Sequence, residues 1–366
     1  MMPPSAASPQ IAAIEAKFGG RWHQNHTATM ADGSCIFVLQ RDGCAQDIMV
    51  LRNDLVVADS HELCIPDLGD MYCHSFVDDP ALPGLKDIHP LYDHVEVLRY
   101  RPGKRATLAA TGSGGRQVII KCLAKNCESV FNRLQAVYPE RSSLGFRVSQ
   151  PVLLNLASRI LVQSRLVGEP LQPLITEGKF EHCGAIARAI ASLHSSGVVF
   201  PGQFDLMDQQ RRTERYADLI KVRFPAFSGD VNHVMTLLNR AQDSHAGRDY
   251  PLVPIHGSLH SHQWLCSGES LALVDFDRAA MGHPELDFAT FLAEWDYEPE
   301  AIAIPIQKDF ACEMPKVDKE LLAFYRAHKH FSKAFKAAKI LNVPAAMRKV
   351  LRSLDRAGIL IKDTAL

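Results

Sequence analysis

The chain has no charge excess, no paired-cysteine motif and no long apolar run. Its 40 Lys and Arg stand against 41 Asp and Glu, a formal charge of −1. Nucleic-acid binders usually carry a basic surplus that neutralises phosphates, so this balance argues against a nucleic-acid partner. The nine cysteines are odd in number and scattered, with no CxxC pair. A disulfide framework or structural zinc site is therefore not expected, and a reducing cytoplasm is the natural location. No apolar stretch approaches the roughly 20 residues that span a bilayer, so no membrane partner is expected. The opening MMPPSAASPQ lacks the basic flank and apolar centre of a signal peptide and reads as a short disordered tail. Neither a solenoid-period repeat nor a long low-complexity linker is present.

What remains is ordinary globular composition, 47% apolar and 22% charged over 366 residues, enough for one large or two closely joined domains. A first helix is expected around IAAIEAKFG, followed by strand-like CIFVLQ, DIMVLR and LVVA between turn signals such as DG and ND. A Pro-rich connector, DDPALPGLKDIHP, leads to VEVLRY, RATLAA and VIIKCL. The turns RPGK and TGSGGRQ join these three runs into an antiparallel meander. Cys127, Val130, Phe131, Leu134, Val137 and Tyr138 then recur at helical spacing. The strand-like RILVQSRLV ends at Gly168, beyond which helical patterns dominate, at 179–195, 207–223, 230–243, 284–297, 318–341 and 344–357. A loop and a short apolar strand, LALVDF, interrupt them at 255–276. The periodicity thus changes near Val167 and Gly168, from a β-rich front to a helical back.

Phosphoryl transfer from a nucleotide needs positioning and charge neutralisation more than covalent chemistry. Its usual parts are a strand lysine, a helical glutamate, a carboxylate beside the acceptor hydroxyl, and an amide plus an acid for Mg²⁺. Lys121 ends VIIK, which has the shape of the V-A-I-K strand signature. Glu128 begins the following helix. Gln263 lies five residues after Ser258, the spacing of the amide in an H-x-D-x-x-x-x-N loop, and Asp275 closes the strand LALVD.

The run HGSLHSHQWLCSGESLALVDFDRAAMGHPELDFATFL resembles the aminoglycoside phosphotransferase and choline kinase-like families, which share the protein-kinase-like fold. Their pattern is H-G-D-x-x-x-x-N, a short hairpin, I-D-F-[DE], then G-x-P-x-x-D and a helix. VEVLRYRPGKRATL, VIIK, VQSRLVGEPL and LASLHSSG extend the resemblance over roughly residues 90–300. It implies an α+β, bilobal fold: a β-rich extension at 1–88, a small kinase-like N-lobe at 89–167, and a larger helical C-lobe at 168–366 with its catalytic loop at 255–277. It also implies ATP or GTP with Mg²⁺ as cofactors and a small hydroxylated molecule as acceptor.

By the same resemblance Lys121 holds phosphate, with Glu128, at a short spacing, as its partner. Arg101, Gly103 and Lys104 form a turn over the phosphates, and the hinge from Gln163 to Leu166 meets the base. His256 supports the catalytic loop, Gln263 and Asp275 hold metal, and Asp277 is an accessory acid. Asp287 anchors the loop, and His194 caps or packs a helix end. The chain departs from the pattern at Ser258, where the family has aspartate. A hydroxyl can orient an acceptor but cannot take its proton near neutral pH. General-base placement is worth 10²–10⁴-fold, roughly 3–5 kcal/mol, and His260, His262 or Asp277 stand close enough in sequence to substitute.

Other readings explain less. TGSGGR lacks a GK[ST] ending and precedes a strand, so it is a hairpin turn and not a phosphate loop. HGSLH is not a G-x-S-x-G elbow, which removes Ser258 as a nucleophile. His256, His260 and His262 with DFD offer ligand types for a metal-dependent hydrolase, but no further His–Asp cluster completes the set. The sequence therefore leaves a phosphotransferase with an atypical loop, with a nucleotide- or metabolite-binding pseudokinase as the alternative and a metal-dependent hydrolase as a third, less favoured reading.

Overall fold

The computed structural model describes residues 8–29, 34–44, 47–57, 60–65, 68–88, 90–313, 317–340 and 343–362. Most of the expected tail lies outside the described residues, but Pro9 and Gln10 open helix α1 (Pro9–Phe18), where a proline in the first turn costs no hydrogen bond. Strands β1 (Trp22–Thr29), β2 (Cys35–Arg41), β3 (Ile48–Arg52), β4 (His61–Ile65) and β5 (Gly69–Ser75) form one sheet in the order β1-β2-β3-β5-β4. β2 and β3 read as continuous apolar runs because both their faces are covered. Phe37, Leu39, Met49 and Leu51 pack with Ile14 and Trp22 on one side. Ile36, Val38, Ile48 and Val50 turn to the other.

LVVA, expected as a strand, is not one: its described residues 55–57 lie outside any strand. The bidentate pair of Arg52 on Asp54, at 2.5 and 2.7 Å, turns the chain after β3 and leaves Leu55 and Val56 exposed. The connector forms a short helix α2 (Leu85–Ile88) before the second sheet. That sheet holds β6 (Asp93–Arg101), β7 (Arg105–Thr111), β8 (Gln117–Leu123), β9 (Pro151–Asn155) and β10 (Ile160–Ser164) in the order β6-β7-β8-β10-β9. The expected meander is β6 to β8, and TGSGGR closes its second hairpin with Gly112 N–H donating to Arg116 O at 2.8 Å. Leu108, Ile120 and Val162 of this sheet share one core with Ile36, Val38 and Val50 of the first. Helix α3 (Cys127–Val137) follows β8.

The chain divides into two compact units: one runs to Glu128 and takes in Val152–Arg165 and a short piece at Lys339, and the other holds the rest. The second unit is helical, with α4 (Leu171–Thr176), α5 (Cys183–His194), α6 (Leu206–Arg223), α7 (Ser228–His245), α8 (Glu285–Trp295), α9 (Glu300–Glu313), α10 (Lys319–Ala337) and α11 (Val343–Lys362). Two small sheets lie among them. One is ordered β11-β14-β15, from β11 (Glu169–Pro170), β14 (Trp264–Ser267) and β15 (Ser270–Leu273). The other is ordered β12-β16-β13, from β12 (Gln203–Phe204), β13 (Val253–Ile255) and β16 (Ala280–Gly282). The core of this unit runs from Ile186 and Ile190 through Trp264 and Phe276 to Phe288 and Phe291. No helix among the described residues is long and apolar enough to cross a membrane.

The C-terminal end of α8 is fixed by a buried charge. Asp296 is fully buried; His330 Nε2 donates to it at 2.6 Å, Arg326 donates to it, and Arg356 Nη2 stands 3.6 Å away. With its pKa brought down to about 4, His330 is neutral at pH 7 and keeps its proton on Nε2, so the other ring nitrogen accepts Tyr297 O–H, 2.9 Å away. Burial by itself would raise the Asp296 carboxyl, but His330 and the Arg326 guanidinium outweigh it and hold it at about 2. Burial pushes His330 down to about 4. Both depressed values make the unfolded chain the stronger proton binder, so this stability is complete above pH ~6.5 and declines as His330 and then Asp296 take up protons. Asp296→Ala strips the counter-charge from Arg326 and should cost about 3–5 kcal/mol in urea unfolding at pH 7. It should also flatten the loss of stability that the wild type shows between pH ~4 and 2.

Candidate active site

The loop after β13 is held from beneath by one carboxylate. Asp287, in the first turn of α8, is fully buried and accepts His256 N–H at 2.7 Å and Gly257 N–H at 2.9 Å. His194, at the end of α5, adds a third contact at 3.2 Å. Burial opposes ionisation of Asp287, yet His194 and the loop amides bring it below the usual carboxylate range. His256 is also buried; its Nε2–H donates to Val274 O at 3.1 Å, and its ring packs edge-on to Phe276. Burial lowers its pKa, so it stays a neutral support of the loop. Gly257 takes φ +74°, and a Cβ there would lie 2.3 Å from the carbonyl oxygen of Arg278. Only glycine fits between the loop and the strand leading to β16.

Ser258 follows, half-buried. The far end of the loop is gripped by the same helix. Glu294 accepts His260 Nδ1–H at 2.8 Å and Ser261 N–H at 2.7 Å. Burial would raise Glu294, but the bonds from His260 and Ser261 carry it below its ordinary value. An ionised carboxylate only accepts, so His260 Nδ1 carries a proton. His262 stacks on His260 with centroids 5.3 Å apart.

Gln263 is buried, and its Oε1 accepts His260 N–H at 2.8 Å. Since that partner is a donor, the atom facing it must be oxygen, and the amide N–H group is the one turned to Asp275 Oδ2, at 3.5 Å. As placed, Gln263 orients Asp275. Asp275 itself adopts φ +72°, ψ 51°, a left-handed conformation that aspartate tolerates better than most residues. Asp277 lies two residues on and attracts the Arg133 guanidinium, which is anchored on Ala279 O at 2.6 Å. Among the described residues no group of three or more His, Cys, Asp and Glu could hold a metal ion, so the hydrolase ligand set is not assembled. Mg²⁺ in phosphotransfer sites takes only one or two carboxylates, the rest being phosphates and water, so the lack of such a group does not bear on a Mg²⁺ site.

Apart from Leu166, the other expected residues lie in the first unit. Lys121 stands opposite Leu161 on β10, and Gln163 opposite Ile119 on β8, so the two share one face of the sheet. That face is turned away from the core made by Ile120 and Val162. In the β6–β7 turn, Gly103 at φ +67° donates its N–H to buried Asp79 Oδ2 at 2.7 Å, beside Tyr100 O–H at 2.8 Å. Lys339 is held below its ordinary pKa by burial and by Lys104 and Arg101, so the turn gathers three cations. Glu128 lies exposed at the start of α3. Leu166 is half-buried at the beginning of the second unit.

Residues 123–341 match the model of a phosphotransferase enzyme family, more than half of the chain. Among solved structures, a choline/ethanolamine kinase family protein from Mesorhizobium loti is similar at a TM-score of 0.55 and 16% identity, over 77% of this chain and 96% of that one. The choline kinase LicA from Streptococcus pneumoniae gives 0.54 and 16%, over 74% and 94%. A thermostable mutant of an aminoglycoside phosphotransferase, solved with ADP and hygromycin B, gives 0.54 and 13%, over 74% and 94%. Sequence comparison with curated proteins gives no match. The fold is therefore kinase-like, with a β-rich front and a helical back.

The crowding at the loop sets a test that needs no substrate. Gly257→Ala combines a left-handed φ with a clash against backbone, and should lower unfolding free energy by at least about 2 kcal/mol in urea titration. Gly114→Ala, also at positive φ but with nothing within 4 Å of its Cβ, should cost less.

Proposed function

The chain belongs to the phosphotransferase enzyme family, and from that premise we propose that it transfers a nucleotide's terminal phosphoryl group to the hydroxyl of a small molecule, with His260 as base. The observation that supports this most is the His260–Glu294 pair on the loop where the family pattern has aspartate. A carboxylate that fixes one ring nitrogen as donor leaves the other as acceptor, the arrangement that orients histidine bases generally. In the proposed step the acceptor hydroxyl gives its proton to His260 Nε2 as its oxygen bonds to the terminal phosphorus. The bond to the bridging oxygen breaks, and the nucleoside diphosphate leaves with that electron pair.

Lys121 with the Arg101–Lys104 turn would meet the phosphates, and Gln163 and Leu166 the base of ATP or GTP. A similar fold crystallised with ADP supports the nucleotide. Mg²⁺ would be held by Asp275 and Asp277, where it neutralises phosphate charge, and Gln263 keeps Asp275 in place. Ser258 favours a second reading, a binding protein without turnover, and the two separate by experiment.

His260→Ala should lower kcat by 10²–10⁴-fold while the nucleotide Kd stays within a few-fold, read by phosphate transfer over a panel of acceptors. Adding Ser258→Asp to His260→Ala should recover part of the loss, because the carboxylate returns to its family position. Nucleotide binding with no transfer by the wild type or either variant would leave the second reading standing.

Asp275→Asn should remove most of the Mg²⁺-dependent stabilisation by nucleotide. At a hundred times Kd that stabilisation is about 2.7 kcal/mol, easily seen in a melting curve. Equal shifts in wild type and variant would take Asp275 out of the metal site.

A further inference from the structure

Three cations from distant parts of the chain collect beside the catalytic loop. Arg278 directly follows Asp277, and its carbonyl and Cβ lie against Gly257, the residue before Ser258. Its side chain is exposed. Arg212 of α6 lies over the ring of Phe204 at 4.4 Å, and Phe204 pairs with Gly282 on β16, the strand that follows Arg278. The next residue, Thr213, is hydrogen-bonded to His328 Nδ1 at 2.7 Å, which joins α6 to α10, and Lys329 of α10 lies within electrostatic reach of Arg212 and Arg278. Tyr216 stacked on Phe335 at 4.3 Å fixes the same two helices one turn further on.

The three positive groups act on one another. Burial, then Arg212 and Arg278, lower the Lys329 ammonium to about 7. Burial and Arg278 likewise depress Arg212. Among the described residues no ion pair joins any of the three to a carboxylate. Asp287, the acid that acts on Lys329, already accepts two loop amides. Asp208, near Arg212, is paired with Arg211 at 2.7 Å. Like charges gathered without a counter-charge are unfavourable, and an anion relieves them. A cationic acceptor would need carboxylates where these three stand.

Building on the phosphotransferase reading, we propose that the acceptor is a hydroxylated anion whose acidic group is held by Arg212, Arg278 and Lys329. The acidic group is a carboxylate or a phosphate; either gives charge-assisted hydrogen bonds to guanidinium and ammonium. The loop then faces the hydroxyl of a molecule anchored through its charge.

The test binds first and turns over second. Without nucleotide, and at constant ionic strength, the protein is titrated with gluconate, glucose 6-phosphate, glucose and choline in calorimetry and thermal denaturation. The same four compounds are then offered as acceptors with Mg²⁺ and ATP. Gluconate or glucose 6-phosphate should bind at least tenfold more tightly than glucose, the stronger of the two identifying the acidic group, and choline should not bind. Arg278→Gln, an exposed change that leaves the core intact, and Arg212→Gln should each weaken anion binding by tenfold or more. Lys329→Met should do the same while raising stability, since it removes a partly buried charge. Preference for glucose or choline, no binding of either anion, or unchanged anion affinity in the three variants would overturn the proposal. Anion binding that depends on the three cations, without transfer to any compound, would sink the phosphotransferase reading and leave the anion site standing.

Discussion

The buried carboxylate of Asp287 is the constraint from which the site follows. An ion with no exposure is tolerated only where donors replace water, and here two backbone amides and His194 do so. Those amides belong to His256 and Gly257, so keeping Asp287 ionised and keeping the loop in place are one requirement. Glu294 lies seven residues further along α8, two turns on and therefore on the same face. One helix face thus grips the start of the loop through Asp287 and its end through Glu294. The Asp296 network then fixes the end of that helix against α10 and α11. Loop, helix and bundle depend on each other through three carboxylates on or beside ten residues of one helix.

Much of this frame was legible in the sequence. The meander β6 to β8 announced itself by β-rich runs with glycine turns between them, and six of the later helices by their apolar spacing. What escaped did so for physical reasons. α9 contains AIAIPI, whose alternation has the period of a strand and whose Pro305 argues against helix. β9, PVLLN, is too short and exposed to show a pattern. LVVA had the composition of a strand, but the Arg52–Asp54 turn left it nothing to pair with.

Site residues divide the same way. The positions of Lys121 and Gln163 were legible because strand alternation fixes the face of each residue, and that of Asp275 because it follows the short apolar strand β15. The orientation of the Gln263 amide was not, since it follows from the donor that faces it. Glu294 reads as a solvated helix charge until its seven-residue spacing from Asp287 is noticed. The cations at 212, 278 and 329 had no shared motif, because three separate segments supply them and only packing brings them together.

The serine at 258 and the cations beside it fit one electrostatic logic. A carboxylate base contributes roughly 3–5 kcal/mol to transfer. For an acceptor that is itself an anion, a second negative charge ~4 Å away opposes binding by about 4 kcal/mol at an effective dielectric constant near 20. An aspartate at 258 would therefore add a repulsion towards an anionic acceptor, whatever it contributes to proton transfer. In the proposed reading the His260 imidazole accepts the proton, and the Glu294 carboxylate is turned to His260 and Ser261 and engaged by their N–H groups. In that proposal uncharged Ser258 avoids the repulsion, His260 would supply the basicity, and Arg212, Arg278 and Lys329 the attraction. On the proposed reading, the serine at 258 goes together with an anionic acceptor.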